Sequence, residues 1–329
     1  MKSYPSKLLL AVLCTLLLNV YTFAGQADGE NSRKETRHSR NYHREARRGK
    51  RAVKILAIGN SWSVNGTHYM GEILDNLGIP ADIQISFKGG CPLSVYWENV
   101  GKEEPLFRHD RWSKETGWQR GRDGKTHTLK DLVTSDDFDI ITLQQASHDA
   151  GRYFTYQPYA NNLIEWLGKT AAHQPIIFFQ STWAYPNGAA HRFFPKYDKD
   201  SEKMYRAILI ATDSLMQETG IYRLMPTCPL IQQLRLIPGM PRIDTPDGTH
   251  LANVGEYAAS CLWVESLLRQ FYDSKFIGRK SIKDCTFKID QLTEEQAETI
   301  RRKAYEVVNH QERYYKSFIG SCGGKKKKK

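Results

Sequence analysis

Residues 53–63 read VKILAIGNSWS, and this stretch decides the fold. Its first six residues form an almost continuous aliphatic run, which is typical of a strand buried on both faces of a parallel sheet. The run stops at Gly59, and Ser61 follows two positions later. The first N–H groups of a helix have no partner inside that helix, so a strand-to-helix junction presents a serine hydroxyl beside free backbone donors. The stretch therefore predicts a buried first strand and a candidate nucleophile at its end.

Four further aliphatic runs follow the first, and stretches with apolar residues at helical spacing separate them. The runs occupy residues 81–87, 139–143, 175–179 and 221–225. Buried strands that alternate with helices indicate a parallel sheet covered on both faces. The sequence predicts an α/β fold, a three-layer α/β/α sandwich with a parallel sheet of about five strands.

Two long segments without clear periodicity, 91–135 and 182–199, follow predicted strands and are rich in aromatic residues. Loops at the carboxyl edge of an open α/β sheet are where ligands bind. The aromatic rings, Trp183 among them, are predicted to form a substrate wall. The alternative is that they only pack these loops against the domain.

The whole chain has a formal net charge of +11, and its termini differ in composition from the residues between them. Residues 1–24 have two lysines before a short apolar core and are predicted to be a cleaved signal peptide, with a membrane-anchored form as the alternative. Residues 25–51 are predicted to be a basic disordered linker, 52–318 the folded domain, and 319–329 a polybasic tail. We therefore expect a secreted or periplasmic protein without stable membrane insertion. Because the basic blocks lie at the ends of the chain, we expect no nucleic-acid partner.

The cysteines and the short motifs argue against a metal or nucleotide cofactor. Five of the six cysteines lie beyond the predicted signal peptide, without C-x-x-C spacing, and Cys285 with Cys322 is one conceivable pair that nothing in the sequence fixes. The chain lacks the metalloprotease, dinucleotide-binding and phosphate-loop patterns. We expect no metal and no cofactor.

A second polar block, DTPDGTHL at 244–251, precedes a predicted late helix. A serine needs a base to act as a nucleophile at neutral pH, and that base is usually a histidine oriented by a carboxylate. Asp247 and His250 are three positions apart around a glycine, so one turn can supply both groups. The alternative is an aspartate that caps the helix beside a surface histidine.

Gly-Asn-Ser after the first strand and Asp-Gly-Thr-His before a late helix resemble the SGNH/GDSL hydrolase superfamily over about residues 53–272. The resemblance is greatest to an uncharacterised, exported branch that is common in gut Bacteroidetes. It implies an SGNH hydrolase-like, flavodoxin-like fold, with Ser61 as the nucleophile, His250 as the base and Asp247 as its orienting acid. Asn60 stands where the superfamily usually has Asp.

The resemblance also implies an oxyanion hole. Its donors would be the N–H groups of Ser61 and of Gly89, with Gly90 as the alternative one position later. The superfamily's third donor is an Asn side chain after the third strand, which this chain lacks. Gln144 or Gln145 offers the same amide donor on a longer arm, and Ser147 is a further candidate.

These expectations combine into a secreted serine esterase that hydrolyses an O-acyl or O-acetyl ester of a carbohydrate. The residues expected to contact the substrate are Asn60, Trp62, Ser147, His148 and Trp183. The alternative function is a catalytically degenerate domain that binds glycans, and its support is the missing Asn. The acyl group, the glycan and the oligomeric state are not determined by the sequence.

Overall fold

A computed structural model describes residues 42–317. The predicted signal peptide, the first part of the predicted linker, Cys322 and the predicted tail lie outside the described residues. The chain divides into two units, 1–44 and 45–329. Only residues 42–44 of the first unit are described, so the fold below is that of residues 45–317.

The strands form one eight-stranded sheet in the order β4-β3-β2-β1-β6-β7-β8, and β5 pairs with β3. The strands β2-β1-β6-β7-β8 are parallel to their neighbours in this order. Strand β3 runs antiparallel to β2, β4 and β5. The strands are β1 Val53–Gly59, β2 Ala81–Phe87, β3 Phe107–Ser113, β4 Gly117–Arg120, β5 Thr126–His127, β6 Ile140–Gln144, β7 Ile176–Ser181 and β8 Leu224–Pro226.

Helices connect the parallel strands and cover both faces of the sheet. They are α1 Arg44–Arg47, α2 Ser61–Thr67, α3 Met70–Asn76, α4 Leu93–Lys102, α5 Leu129–Thr134, α6 Tyr159–Thr170, α7 Ser201–Thr219, α8 Thr227–Leu234, α9 Asn253–Gln270, α10 Ser274–Ile277 and α11 Glu294–Asn309.

Side chains of β1 alternate between two hydrophobic cores, one on each face of the sheet. Ile55 and Ala57 belong to the core shared with α3, α9 and α11, while Leu56 and Ile58 belong to the core shared with α4, α5 and α6. Successive side chains of a strand point to opposite faces of the sheet, so a strand buried on both faces has a continuous aliphatic sequence. The predicted three-layer α/β/α sandwich is confirmed.

Each of the five predicted strands lies in the parallel part of the sheet, where the strand order matches the flavodoxin-like arrangement. The prediction missed the antiparallel extension, because the segment 91–135 folds into α4, three strands and α5. Strand β3 reads FRHDRWS and has only three buried residues, so it lacks a hydrophobic pattern. The sheet therefore has eight strands rather than about five.

The folded unit also begins before residue 52. Ala46 is fully buried, and the Arg47 guanidinium donates a 3.0 Å hydrogen bond to the carbonyl of Phe271. The last residues assigned to a disordered linker thus pack against the domain.

Candidate active site

Ser61 is the first residue of α2, directly after the end of β1. Asn60 caps this helix, because its extended backbone lets its side-chain oxygen accept a 3.0 Å hydrogen bond from the N–H of Trp62. A Cβ at Gly59 would lie 1.9 Å from the Ser63 hydroxyl. Glycine is therefore required here by the close approach of α2 to the end of β1.

His250 and Asp247 lie on the turn that precedes α9, and both face Ser61. The Nε2 atom of His250 is 2.8 Å from the Ser61 hydroxyl, and its Nδ1 atom is 2.7 Å from Oδ2 of Asp247. The three side chains thus form a continuous chain of hydrogen bonds, although Ser61 and His250 are 189 positions apart. The hydrogen-bond distances match those expected between a nucleophile, its base and the group that orients the base.

The other oxygen of Asp247 anchors the turn. It accepts hydrogen bonds from the N–H groups of Thr249 and His250 and from the hydroxyls of Thr245 and Thr249, at 2.6–3.0 Å. Partial burial acts to raise the pKa of Asp247, but the hydrogen bonds from His250 and Thr249 outweigh it and hold that pKa well below its usual range. Asp247 is therefore ionised at neutral pH. Gly248 adopts φ +69°, which permits the turn at low conformational cost.

Two contacts hold the serine helix against the histidine turn. Asn65 lies one helical turn after Ser61, and its side-chain oxygen accepts a 3.3 Å hydrogen bond from the N–H of Leu251. Its amide donates to Glu256 on α9 at 2.6 Å. The sequence prediction missed Asn65, although its i, i+4 spacing from Ser61 places both residues on one face of α2.

The second contact runs through two stacked indoles. The rings of Trp62 and Trp183 are parallel to within 13°, with centroids 4.1 Å apart. The indole N–H of Trp183 donates a 3.1 Å hydrogen bond to the carbonyl of Thr249, beside His250. Both rings are at most 1% exposed and lie in the core. Trp183 therefore cannot belong to the predicted substrate wall, and Trp62 cannot make the predicted contact with a substrate. Their role in the structure is to connect α2 to the histidine turn.

Asn60 and Gln144 form a buried polar network beneath the site. The Gln144 amide donates to the Asn60 side-chain oxygen at 2.7 Å, and its oxygen accepts from the Ser63 hydroxyl at 2.7 Å. The Asn60 amide donates to the carbonyl of Cys91 at 3.3 Å. Asn60 and Gln144 are each at most 2% exposed. The structure therefore does not place Asn60 where it would touch a substrate, and it gives the Gln144 amide a partner other than an oxyanion.

Gln145 is equally buried and also bonded within the protein. Its amide donates to the carbonyl and hydroxyl of Thr155, and its oxygen accepts from the N–H groups of Leu93 and Ala146. The longer arm of glutamine lets the side chain reach these backbone groups. Neither glutamine offers the geometry expected of an oxyanion donor.

The glycine loop after β2 lies beside the start of α2, because Gly59 and Phe87 pair at the ends of their strands. Gly89 and Gly90 are exposed, and Gly90 has φ +61°. Within residues 42–317, the N–H groups of Ser61, Gly89 and Gly90 donate no hydrogen bond. These backbone groups remain open to an incoming oxygen.

Ser147 and His148 follow β6 and lie at the rim of the site. The Ser147 hydroxyl is 2.7 Å from the hydroxyl of Tyr185, and His148 Nε2 is 3.3 Å from a carboxylate oxygen of Asp149. Burial raises the pKa of Tyr185 despite its hydrogen bond to Ser147, so this phenol stays protonated at neutral pH. Both predicted residues are partly exposed, unlike Trp62 and Trp183.

The described residues contain no group of three or more His, Cys, Asp or Glu side chains that could hold a metal ion. Among residues 42–317, no helix is both long and apolar enough to cross a membrane. Cys91, Cys228, Cys261 and Cys285 are buried thiols.

A cavity of about 660 Å³ lies at the opposite end of the sheet, near the start of β1 and β2. Ala52, Ala81 and Arg111 are among its lining residues, and Ser61, Asp247 and His250 are not. The hydrogen-bonded site instead lies at the carboxyl edge, where open α/β sheets bind their ligands.

Residues 54–307 match the family described as a domain of unknown function, DUF4886. The match covers more than half of the sequence. The chain belongs to the DUF4886 family. No curated protein matches it.

Solved structures include another DUF4886 protein, from Bacteroides uniformis, with 24% identity and a TM-score of 0.70 over 79% of this chain and 96% of that one. This likeness supports the fold. A protein from Slackia heliotrinireducens described as a proposed SGNH hydrolase has 18% identity and a TM-score of 0.46, over 66% and 99% of the two chains. An acetyl xylan esterase has 13% identity and a TM-score of 0.42, over 64% and 98%. The strand order and the placement of Ser61 and His250 make this DUF4886 domain SGNH-like.

Proposed function

We propose that this DUF4886 protein is a secreted serine esterase of SGNH type that removes O-acyl groups, including O-acetyl groups, from a carbohydrate. The observation that carries the proposal is the unbroken hydrogen-bond chain from the Ser61 hydroxyl through His250 to Asp247. A serine is activated when a base accepts its proton and a third group orients that base.

In the proposed reaction, the Ser61 oxygen attacks the ester carbonyl while its proton passes to Nε2 of His250. The imidazolium then donates that proton to the leaving alcohol, and an acyl-enzyme remains on Ser61. Water attacks this ester next, with His250 again acting as base and then as acid. Asp247 accepts the Nδ1–H bond throughout, which keeps Nε2 free to receive the proton.

The negative charge that develops on the carbonyl oxygen needs donors that are already in place. We assign this role to the backbone N–H of Ser61 and to that of Gly89 or Gly90, whose N–H groups have no acceptor within the described residues. The buried bonds of Gln144 and Gln145 argue against a side-chain amide in this role. An oxyanion hole built from backbone groups alone removes the need for the missing Asn.

The carbohydrate part of the proposal rests on the predicted export signal and on aromatic side chains at the rim. Phe193 is partly exposed and packs against the partly exposed His148 ring, with centroids 4.6 Å apart. These two rings, rather than the buried tryptophans, would supply the aromatic surface.

The test compares wild type with Ser61→Ala on 4-nitrophenyl acetate and on acetylated oligosaccharides. Loss of the nucleophile is expected to lower kcat by at least about 10³, while Ser274→Ala, at an exposed position on α10, leaves it unchanged. Equal acetate release by wild type and Ser61→Ala would remove the esterase assignment. If both proteins bound the oligosaccharide without releasing acetate, the alternative of a glycan-binding domain would replace it.

A further inference from the structure

The segment 182–199 packs directly against the turn that carries Asp247 and His250. A Cβ at Gly248 would lie 2.9 Å from the Cβ of Ala189 and 3.7 Å from Cγ of Pro186. Burial lowers the pKa of His191, two residues further along the chain, and the charges of Asp247 and His250 act on this pKa in opposite directions. The residues that follow His191 therefore form one side of the active-site rim.

This side of the rim is cationic. The Phe193 ring has the Arg192 guanidinium and the Lys196 ammonium each 4.5 Å from its centroid. The His148 ring lies against it with centroids 4.6 Å apart. Cation–π contacts of this length hold Arg and Lys side chains against an aromatic face. We call the group formed by His148, Arg192, Phe193 and Lys196 the basic rim.

Among the described residues, Asp149 is the carboxylate that contacts the basic rim, and it is already paired. Asp149 accepts from Arg152 at 2.8 Å and from Lys196 at 3.0 Å, and it lies 3.3 Å from His148. Burial acts to raise the pKa of Asp149, but the hydrogen bonds from His148, Lys196 and Arg152 outweigh it and hold the pKa well below its usual range. Asp149 therefore remains a carboxylate that neutralises its own partners.

Arg192, by contrast, has no carboxylate partner among the described residues. Its side chain is exposed, and within residues 42–317 no carboxylate lies within salt-bridge distance of it. The two segments 146–156 and 182–199 together contain four Arg and Lys residues but only two Asp residues. The segment that packs against the Asp247–His250 turn thus carries a positive charge without a carboxylate partner among the described residues.

We propose that the ester attacked by Ser61 carries a carboxylate, and that Arg192 binds this carboxylate. An acylated uronic acid or another acidic carbohydrate has the required chemistry. The guanidinium matches a carboxylate with two parallel N–H bonds, and its stacking on Phe193 limits the orientations it can adopt. This inference rests on the proposed esterase function and specifies its substrate class.

The test uses 4-acetoxybenzoate and 4-acetoxybenzamide, which share the acyl group and differ mainly in one negative charge. Each kcat/KM is divided by the rate of uncatalysed hydrolysis, so that the remaining ratio reports recognition by the protein. We expect wild type to prefer the anion, and Arg192→Gln to reduce this preference by about two- to fivefold, the range for one exposed ion pair. High salt should reduce the wild-type preference in the same way.

Two further variants separate charge from general damage. Arg192→Lys keeps the charge and should retain part of the preference, while Arg302→Gln on α11 should leave both substrates unaffected. If wild type hydrolyses both esters without preference, or if Arg192→Gln lowers both rates equally, the carboxylate assignment is wrong and the esterase function stands. If wild type hydrolyses neither, the proposed function fails first and the inference fails with it.

Discussion

Replacing Asp247 with Asn should lower kcat by about 10⁴ with little effect on folding. The amide oxygen can keep the four hydrogen bonds that now reach Oδ1 from Thr245, Thr249 and the N–H of His250. The amide N–H₂, however, would face Nδ1 of His250, 2.7 Å away, and would stabilise the tautomer that lacks a proton there. The proton would then sit on Nε2, aimed at the Ser61 hydroxyl 2.8 Å away.

In that tautomer His250 cannot accept the serine proton, so the first step of the reaction is blocked. The same substitution in a Ser-His-Asp protease costs about 10⁴ in kcat, which corresponds to about 5.4 kcal/mol at 1.36 kcal/mol per tenfold. Because the Asp247 carboxylate is about half exposed, its charge should contribute less than about 1 kcal/mol to stability, and the melting temperature should shift by less than about 4 °C.

The assay is initial-rate hydrolysis of 4-nitrophenyl acetate, with thermal unfolding of each variant in the same buffer. Asp200→Asn is the matched control, since Asp200 caps α7 through two backbone N–H groups and Asn caps helices about equally well. A value of kcat within tenfold of wild type in correctly folded Asp247→Asn would refute the role assigned to Asp247.

The pH dependence of stability gives a second readout. Because the folded-state pKa of Asp247 lies below its unfolded value, its ionised form stabilises the protein above about pH 4. The difference in melting temperature between wild type and Asp247→Asn should therefore shrink as the pH falls below about 4.

Three more substitutions test the contacts that support the site. Trp183→Phe keeps the stacking but removes one indole hydrogen bond, so kcat should fall about 2- to 12-fold at unchanged KM. The control Trp118→Phe removes an indole hydrogen bond to the carbonyl of His68 and should leave kcat unchanged. Asn65→Asp places a carboxylate beside Glu256, so melting temperature and kcat should both fall, and adding Glu256→Gln should restore them. Gln144→Leu should cost about 1–3 kcal/mol of stability while kcat of the folded protein stays within tenfold; a loss of about 10²–10³ in kcat at unchanged stability would instead make Gln144 an oxyanion donor.

The sequence predicted the parallel sheet because its strands are buried on both faces, which leaves continuous aliphatic runs such as that of β1. It also predicted that Ser61 and the Asp247–His250 turn would lie together, because a nucleophile needs a base and the resemblance supplied the pairing. The antiparallel strands could not be found in the same way. Polar and aromatic residues alternate irregularly in β3, where only three of the seven residues are buried.

The side-chain environments were harder to predict than the backbone. Trp62 follows Ser61 directly, whereas Trp183 follows β7, and the two rings stack on each other across a long stretch of chain, which no local pattern encodes. Gln144 was one of two glutamines predicted to supply the oxyanion-hole amide, because they follow the third predicted strand where the superfamily has its Asn. Its length instead allows it to bond with Asn60 and Ser63 inside the protein.

The most direct test of the central claim is covalent labelling with a fluorophosphonate, followed by mass-spectrometric mapping of the modified residue. A serine whose proton can pass to His250 should form the adduct, so we expect one label on Ser61 in wild type and almost none in His250→Ala. Absence of labelling in folded wild-type protein, labelling of a different residue, or labelling of Ser61 at an equal rate without His250 would contradict the account.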